Sequence, residues 1–155
     1  MATWSDFASA APALAESIRT TLHQYGAGLG YLATIRPDGG PRIHPVSPSI
    51  VGGRLYCCLV DSPKRRDLDR DDRYALHAYP SDDSDDEAGV RGRAQLITDP
   101  TRIRQIATRI RAEQSMAWWL YEMRIEEAFF VRRGPRVAHQ TWIDPFRKRA
   151  LVKAG

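Results

Sequence analysis

A phosphate group needs two things from a protein: a helix N-terminus with free N–H groups, and cationic side chains held on rigid elements. Residues 61–68, Asp-Ser-Pro-Lys-Arg-Arg-Asp-Leu, offer both at once. Ser62 suits an N-cap and Pro63 the first helical position, so a short helix opens here with Lys64, Arg65 and Arg66 at its start. Arg42 closes on the same anion if its strand lies beside the one ending at Val60. A plainer reading competes with this one. Charge runs are usually solvated faces, and these cations have Asp61, Asp67, Asp69, Asp71 and Asp72 as partners for surface ion pairs.

The other reactive side chains point to less chemistry. Cys57 and Cys58 are adjacent in a strand-like run, so they point to opposite faces, which disfavours a bond between them. Two cysteines at that spacing make no zinc site either, and they read as small core-filling residues. Five carboxylates, Asp82, Asp83, Asp85, Asp86 and Glu87, crowd a loop. That run has no internal glycine and no regular ligand spacing, so no metal is assigned to it. No Ser-His-Asp, Cys-His or paired-carboxylate set is evident, and no residue is assigned as catalytic. His44 has the choice between a hydrogen bond to a ring or substrate and a purely packed role. His77 reads as structural, and His139 has no assignment. Trp118, Trp119 and Trp142 read as core or dimer-interface aromatics, with a wall of a substrate pocket as the alternative.

These residues need elements to hold them. Pro12 starts a helix running to about Gln24, with Leu14, Ile18 and Leu22 as its apolar stripe, and Gly26 and Gly28 end it. Residues 1–11 are small and polar apart from Trp4 and Phe7. Leu29 to Arg36 is apolar on both faces and reads as a central strand. The turn Pro37-Asp38-Gly39-Gly40-Pro41 sends the chain back as Arg42 to Val51, which must bulge because Pro45 and Pro48 each remove a ladder donor. Gly52-Gly53 is a tight hairpin before the strand Arg54 to Val60. Further strands are predicted over Tyr74–Tyr79, Val90–Thr98, Arg124–Arg133 and Arg136–Ile143. A helix starts at Asp99-Pro100 and reaches about Ala112. It buries Ile103, Ile106 and Ile110 and turns Arg102, Arg104, Arg109 and Arg111 outward. Trp118, Trp119 and Leu120 read as a second short helix. Many short antiparallel strands with a few helices predict a mainly β, α+β fold: a small barrel with helices outside.

The totals bound the function. At 155 residues, with 43% apolar and 27% charged residues, the chain reads as one domain with a single core, residues 144–155 forming a basic tail. No apolar run is long enough to span a bilayer and no secretory core opens the chain, so a cytoplasmic protein is expected. The net charge of +4 and pI near 9.3 come almost wholly from arginine. Those arginines are dispersed over helix, strand and loop with no aromatic platform among them, which argues against nucleic acid.

Read in order, the pieces resemble a known family. Gly-Tyr-Leu-Ala-Thr-Ile-Arg-Pro-Asp-Gly-Gly-Pro-Arg-Ile-His-Pro-Val (30–46) is followed by Gly-Arg-Leu-Tyr (53–56) and Asp-Ser-Pro-Lys-Arg-Arg-Asp-Leu (61–68). Arg-Tyr-Ala-Leu-His (73–77) and Gly-Arg-Ala (92–94) complete the series. This is similar to the pyridoxamine 5′-phosphate oxidase-like family, the flavin and deazaflavin split β-barrels, over residues 12–131. The resemblance implies an antiparallel split β-barrel of the FMN-binding type. It also implies a homodimer with two cofactor sites at the subunit interface, and an oxidoreductase acting on a small molecule with FMN or, alternatively, F-420. Lys64 and Arg42 match the residues that grip the cofactor phosphate. His44, Pro45, Val46 and Ser47 match the segment beside the ring, and Cys57 and Cys58 match positions near the ribityl chain. Arg65 and the helix start at Ser62 complete the expected cofactor-binding set. Authentic pyridoxamine phosphate oxidases end in an Arg-x-His segment that binds the substrate phosphate. His139-Gln140-Thr141-Trp142-Ile143-Asp144-Pro145 lacks it, so oxidation of vitamin B6 itself is not implied. The alternative is a flavin- or haem-binding module without turnover.

Overall fold

The computed structural model of the chain describes residues 1–110 and 117–147. Two helices, α1 (Trp4–Ala10) and α2 (Pro12–Leu22), precede four strands, β1 (Gly30–Ile35), β2 (Pro41–Val46), β3 (Ser49–Val51) and β4 (Arg54–Val60). Then come α3 (Pro63–Arg70), β5 (Arg73–Ala78), β6 (Glu87–Leu96), α4 (Pro100–Ile110), β7 (Trp118–Arg132) and β8 (Ala138–Ile143). The strands form one antiparallel sheet in the order β2-β1-β5-β6-β7-β4-β3, with β8 paired to the far half of β7.

One connection forces this sheet to curl. β2 and β3 stand at opposite ends of the strand order, yet only Ser47 and Pro48 separate them. The chain from Val46 to Ser49 reaches no more than about 11 Å, so the two edges must come together at that corner. Gly28 sits beneath the link, where a Cβ would stand 1.9 Å from the Pro48 carbonyl oxygen. The result is a curled antiparallel half-barrel of eight strands flanked by four helices, the split-barrel α+β architecture. Pro48 also explains why the single bulged strand expected over 42–51 is two strands: the chain turns from one sheet edge to the other.

The concave side of the sheet is filled by the N-terminal helices. Leu14, Ile18 and Leu22 of α2 are all buried, with Trp4 and Phe7 of α1, against Leu32, Leu55, Leu59, Leu76 and Met123. The first of these helices lies in a stretch for which the sequence predicted no element. Thr3 and Asp6 form a reciprocal capping box, which fixes a helix start three residues into the chain. A smaller cluster of Tyr56, Ile97, Ile106 and Leu120 lies on the opposite face under α4, with Ile103 and Ile110 half-buried beside it.

Three further expectations are corrected. Trp118, Trp119 and Leu120 are not helical: they begin β7, opposite Val60, Leu59 and Cys58 of β4. Aromatic and apolar residues on both faces suit a strand buried on both sides. Arg102 does not point outward, because it reaches the Tyr56 hydroxyl at 2.8 Å and the buried Glu122 carboxylate. Asp144, the first residue of the expected tail, is buried, and its N–H donates to the Glu126 carbonyl. Arg111 and Ala112 of the expected helix, and residues 148–155 of the tail, lie outside the described residues.

Candidate functional site

The site is built where α3 packs against β1 and β4 beside the edge strand β2. Alternation along β2 puts Arg42, His44 and Val46 on one face, all half-buried, while Pro41, Ile43 and Pro45 are exposed on the other. Arg42 donates from Nε to Asp67 Oδ2 of α3 at 2.6 Å. The same oxygen accepts from the Thr34 hydroxyl of β1 at 2.9 Å, and Arg70 lies 3.5 Å from Oδ1. Asp67 is only 2% exposed. Burial alone would push its carboxyl up, but the hydrogen bonds from Arg42 and Thr34, with the charge of Arg42, hold it below the usual carboxylate range.

His44 lies two residues beyond Arg42 on the same face of β2. Partial burial and then the positive charges of Lys64 and Arg42 hold its imidazolium form down, outweighing the attraction of Asp67. Arg42 and His44 share one face of β2, and the bond from Arg42 to Asp67 ties that face to α3, the helix that carries Lys64 in its first turn.

The surrounding cations are mostly neutralised from within. Arg65 meets Asp69 at 2.6 Å and Asp61 at 3.3 Å, and its guanidinium lies 4.3 Å over the Trp119 ring. Arg66 pairs with Asp61 and Arg70 with Asp67. This is the plainer sequence reading realised for those residues, except that Asp67 is buried rather than on the surface. Among the described residues Lys64 makes no ion pair. The helix start beside it is also open. Ser62 occupies the N-cap position, but its hydroxyl donates to the Val60 carbonyl instead of accepting from the first turn. The N–H groups of that turn are left for another acceptor. One unpaired lysine, one half-committed arginine, a neutral histidine and an uncapped helix start form a donor set that fits a phosphate.

The remaining expected residues divide. Pro45 and Ser47 are exposed at the β2 edge, and Val46 packs on the main core. Cys57 and Cys58 lie on opposite faces of β4: Cys57 is sealed in the main core and Cys58 lies half-buried under α4. Arg65 sits on the barrel side of α3, against Trp119, rather than beside Lys64. The residues that the sequence did not single out are Thr34 and Asp67, which fix Arg42, and Tyr121, whose hydroxyl donates to Asp69 at 2.6 Å and steadies α3.

A second charged group lies at the other end of β4. Glu122 is 1% exposed and accepts from Arg54 at 2.6 Å, from Arg124 at 3.0 Å, and from Arg102. It borders an open depression of about 670 Å³ lined by Arg54, Tyr56, Arg102, Gln105 and Arg109.

Fold and site together define a split-barrel protein with a cluster of cationic side chains beside its sheet edge. The family model described as pyridoxamine 5′-phosphate oxidase matches residues 14–142. The chain belongs to the pyridoxamine 5′-phosphate oxidase-like family. No curated protein matches it. Among solved structures it is similar to a Clostridium acetobutylicum protein related to general stress protein 26. That likeness has a TM-score of 0.64 and 13% identity, and covers 84% of this chain and 93% of that one. General stress protein 26 of Bacillus anthracis matches with a TM-score of 0.58 and 18% identity, over 81% of this chain and 97% of that one. A haem-binding protein from Mycobacterium smegmatis matches with a TM-score of 0.59 and 18% identity over 81% of this chain. The chain spans 57% of the length of that protein. At these identities the likeness concerns the fold.

Proposed function

We propose that this chain is a flavin- or deazaflavin-dependent oxidoreductase that moves a hydride to or from a small molecule in the cytoplasm. Its cofactor is FMN, with F-420 as the alternative. The observation that carries this reading is Lys64: it stands without an ion pair at an uncapped helix start, beside Arg42 and His44, while the neighbouring arginines are neutralised. When bound, the tricyclic ring supplies the hydride chemistry. The chain holds the phosphate through Lys64, Arg42 and the first turn of α3, and orients the ring along His44, Pro45, Val46 and Ser47. His44, neutral when the seat is empty, donates one hydrogen bond to ring or phosphate. β2 is an edge strand, and Pro45 and Ser47 at its end are exposed, so a second copy of the chain completes the site as a homodimer.

The reading is tested by the absorption spectrum of the purified protein and by titration with FMN and F-420. A flavin-type visible band, or saturable binding of either coenzyme, supports it. A Soret band favours a haem-binding module without turnover, and absence of binding by both coenzymes refutes the oxidoreductase assignment.

A further inference from the structure

Asp67 is a buried carboxylate in a helix whose other charges are exposed or half-exposed, and it is used on one side by Thr34 and Arg42 and on the other by Arg70. Arg42 commits only Nε to it; among the described residues its two Nη groups make no hydrogen bond. An arginine on an edge strand otherwise carries considerable rotamer freedom, which an anion would have to freeze on binding. We propose that Asp67 is a positioning residue of the phosphate seat: it clamps Arg42 side-on, presents both Nη groups to the anion beside Lys64 and His44, and so sets the preference for a phosphorylated over an unphosphorylated ring. This rests on the proposed function and adds to it a residue that touches no cofactor.

Two physical effects of Asp67 oppose each other, which makes the inference testable. As a bare negative charge it weakens anion binding; as a clamp it strengthens binding by ordering Arg42 in advance. The proposal states that the clamp wins.

The experiment measures the dissociation constants of FMN and riboflavin for the full chain by fluorescence titration, and takes their ratio. If F-420 is the coenzyme bound, F-420 and its ring-and-ribityl fragment replace them. Arg42→Ala lowers the phosphate preference about tenfold, the scale of one charge-assisted hydrogen bond. Asp67→Asn lowers it by a similar factor with riboflavin affinity unchanged, and the double variant is no worse than Arg42→Ala alone, because Asp67 acts through Arg42. Should Asp67→Asn not fold, Thr34→Val strips one hydrogen bond from the same oxygen and lowers the preference by a smaller factor that also vanishes in the Arg42→Ala background. A higher preference in Asp67→Asn, an equal loss for both ligands, or additive losses in the double variant overturns the proposal. A wild type that binds FMN no better than riboflavin refutes the phosphate seat itself, and Asp67's role with it. A wild-type preference that survives Asp67→Asn refutes Asp67 alone.

Discussion

The Arg102 guanidinium of α4 lies against the Glu122 carboxylate of β7, and that contact ties α4 to the sheet. Glu122 also holds Arg54 and Arg124, so a single buried charge is shared by three guanidiniums. Burial pushes the Glu122 carboxyl up, but hydrogen bonds from Arg102, Arg54 and Arg124 outweigh it and leave the group below the ordinary glutamate range. Its folded pKa is thus lower than its unfolded one. The stabilisation is complete above about pH 5 and is lost as the pH falls through the folded value. Urea unfolding between pH 7 and pH 3 should show that decline, and Glu122→Gln should flatten it.

The size of that loss follows from exposure. Removing one partner of a fully buried pair costs roughly 3–5 kcal/mol. Here the three guanidiniums are 22–39% exposed and can turn to water. Glu122→Gln should therefore cost about 2 kcal/mol at pH 7. Arg102→Ala should cost less than that, while speeding hydrogen exchange in α4 more than in β7.

Lys64 offers the opposite profile. With no ion pair to lose among the described residues, Lys64→Ala should leave the melting temperature within error. It should weaken FMN or F-420 binding by about 1–3 kcal/mol, the cost of one charge-assisted bond. Added salt should narrow the gap between variant and wild type. Arg65→Ala should do the reverse, lowering stability through Trp119 and its two aspartates with little effect on affinity. Unchanged affinity in Lys64→Ala removes that residue from the site.

Much of this arrangement was legible where local chemistry decides it. Pro63 at a helix start, Gly52-Gly53 in a hairpin and the Leu14, Ile18, Leu22 stripe each have a cause within a few residues, and each stands where it was expected. The approach of Arg42 to the Lys64 helix was expected through a strand lying beside β4; instead β2 pairs with β1, and Arg42 reaches that helix through Asp67. What failed was non-local. Arg102 turns inward because its partner Glu122 is 20 residues further along the chain. The run Trp118-Trp119-Leu120 shows no apolar–polar alternation because both its faces are covered, Trp119 by the main core and Trp118 and Leu120 by the cluster under α4. Asp67 looked like one of five interchangeable aspartates until the barrel brought Thr34 against it. The Thr3-x-x-Asp6 box, by contrast, was a readable signal that went unused.

Gly28 tests the closure of the barrel. A methyl group there meets the Pro48 carbonyl at 1.9 Å, a backbone atom that cannot rotate away. Gly28→Ala must displace the two-residue link that brings the β2 and β3 edges together. We expect a loss of about 2–4 kcal/mol, on the scale of overpacking at a rigid site, read as a lower midpoint in thermal or urea unfolding. Gly134→Ala, at a glycine with nothing within 4 Å of the added methyl, serves as the control and should change little.

The two cysteines separate packing from reactivity. Burial, with Cys58 alongside, pushes the Cys57 thiol up to about 12, and burial pushes Cys58 up to about 11. Alkylation requires the thiolate, so at pH 8 neither should react with iodoacetamide while the chain is folded. Both should label on denaturation, in step with loss of the fold, as followed by mass spectrometry. Cys57→Ser puts a hydroxyl among Leu55, Leu59 and Tyr121 in the main core, and should cost about 1–3 kcal/mol of stability. Cys58→Ser should cost less, since that side chain is only half-buried beside the α4 cluster. Neither should shift cofactor affinity by as much as Lys64→Ala. A serine variant that binds FMN or F-420 markedly less well yet melts like the wild type would move that face of β4 from the core into the cofactor site.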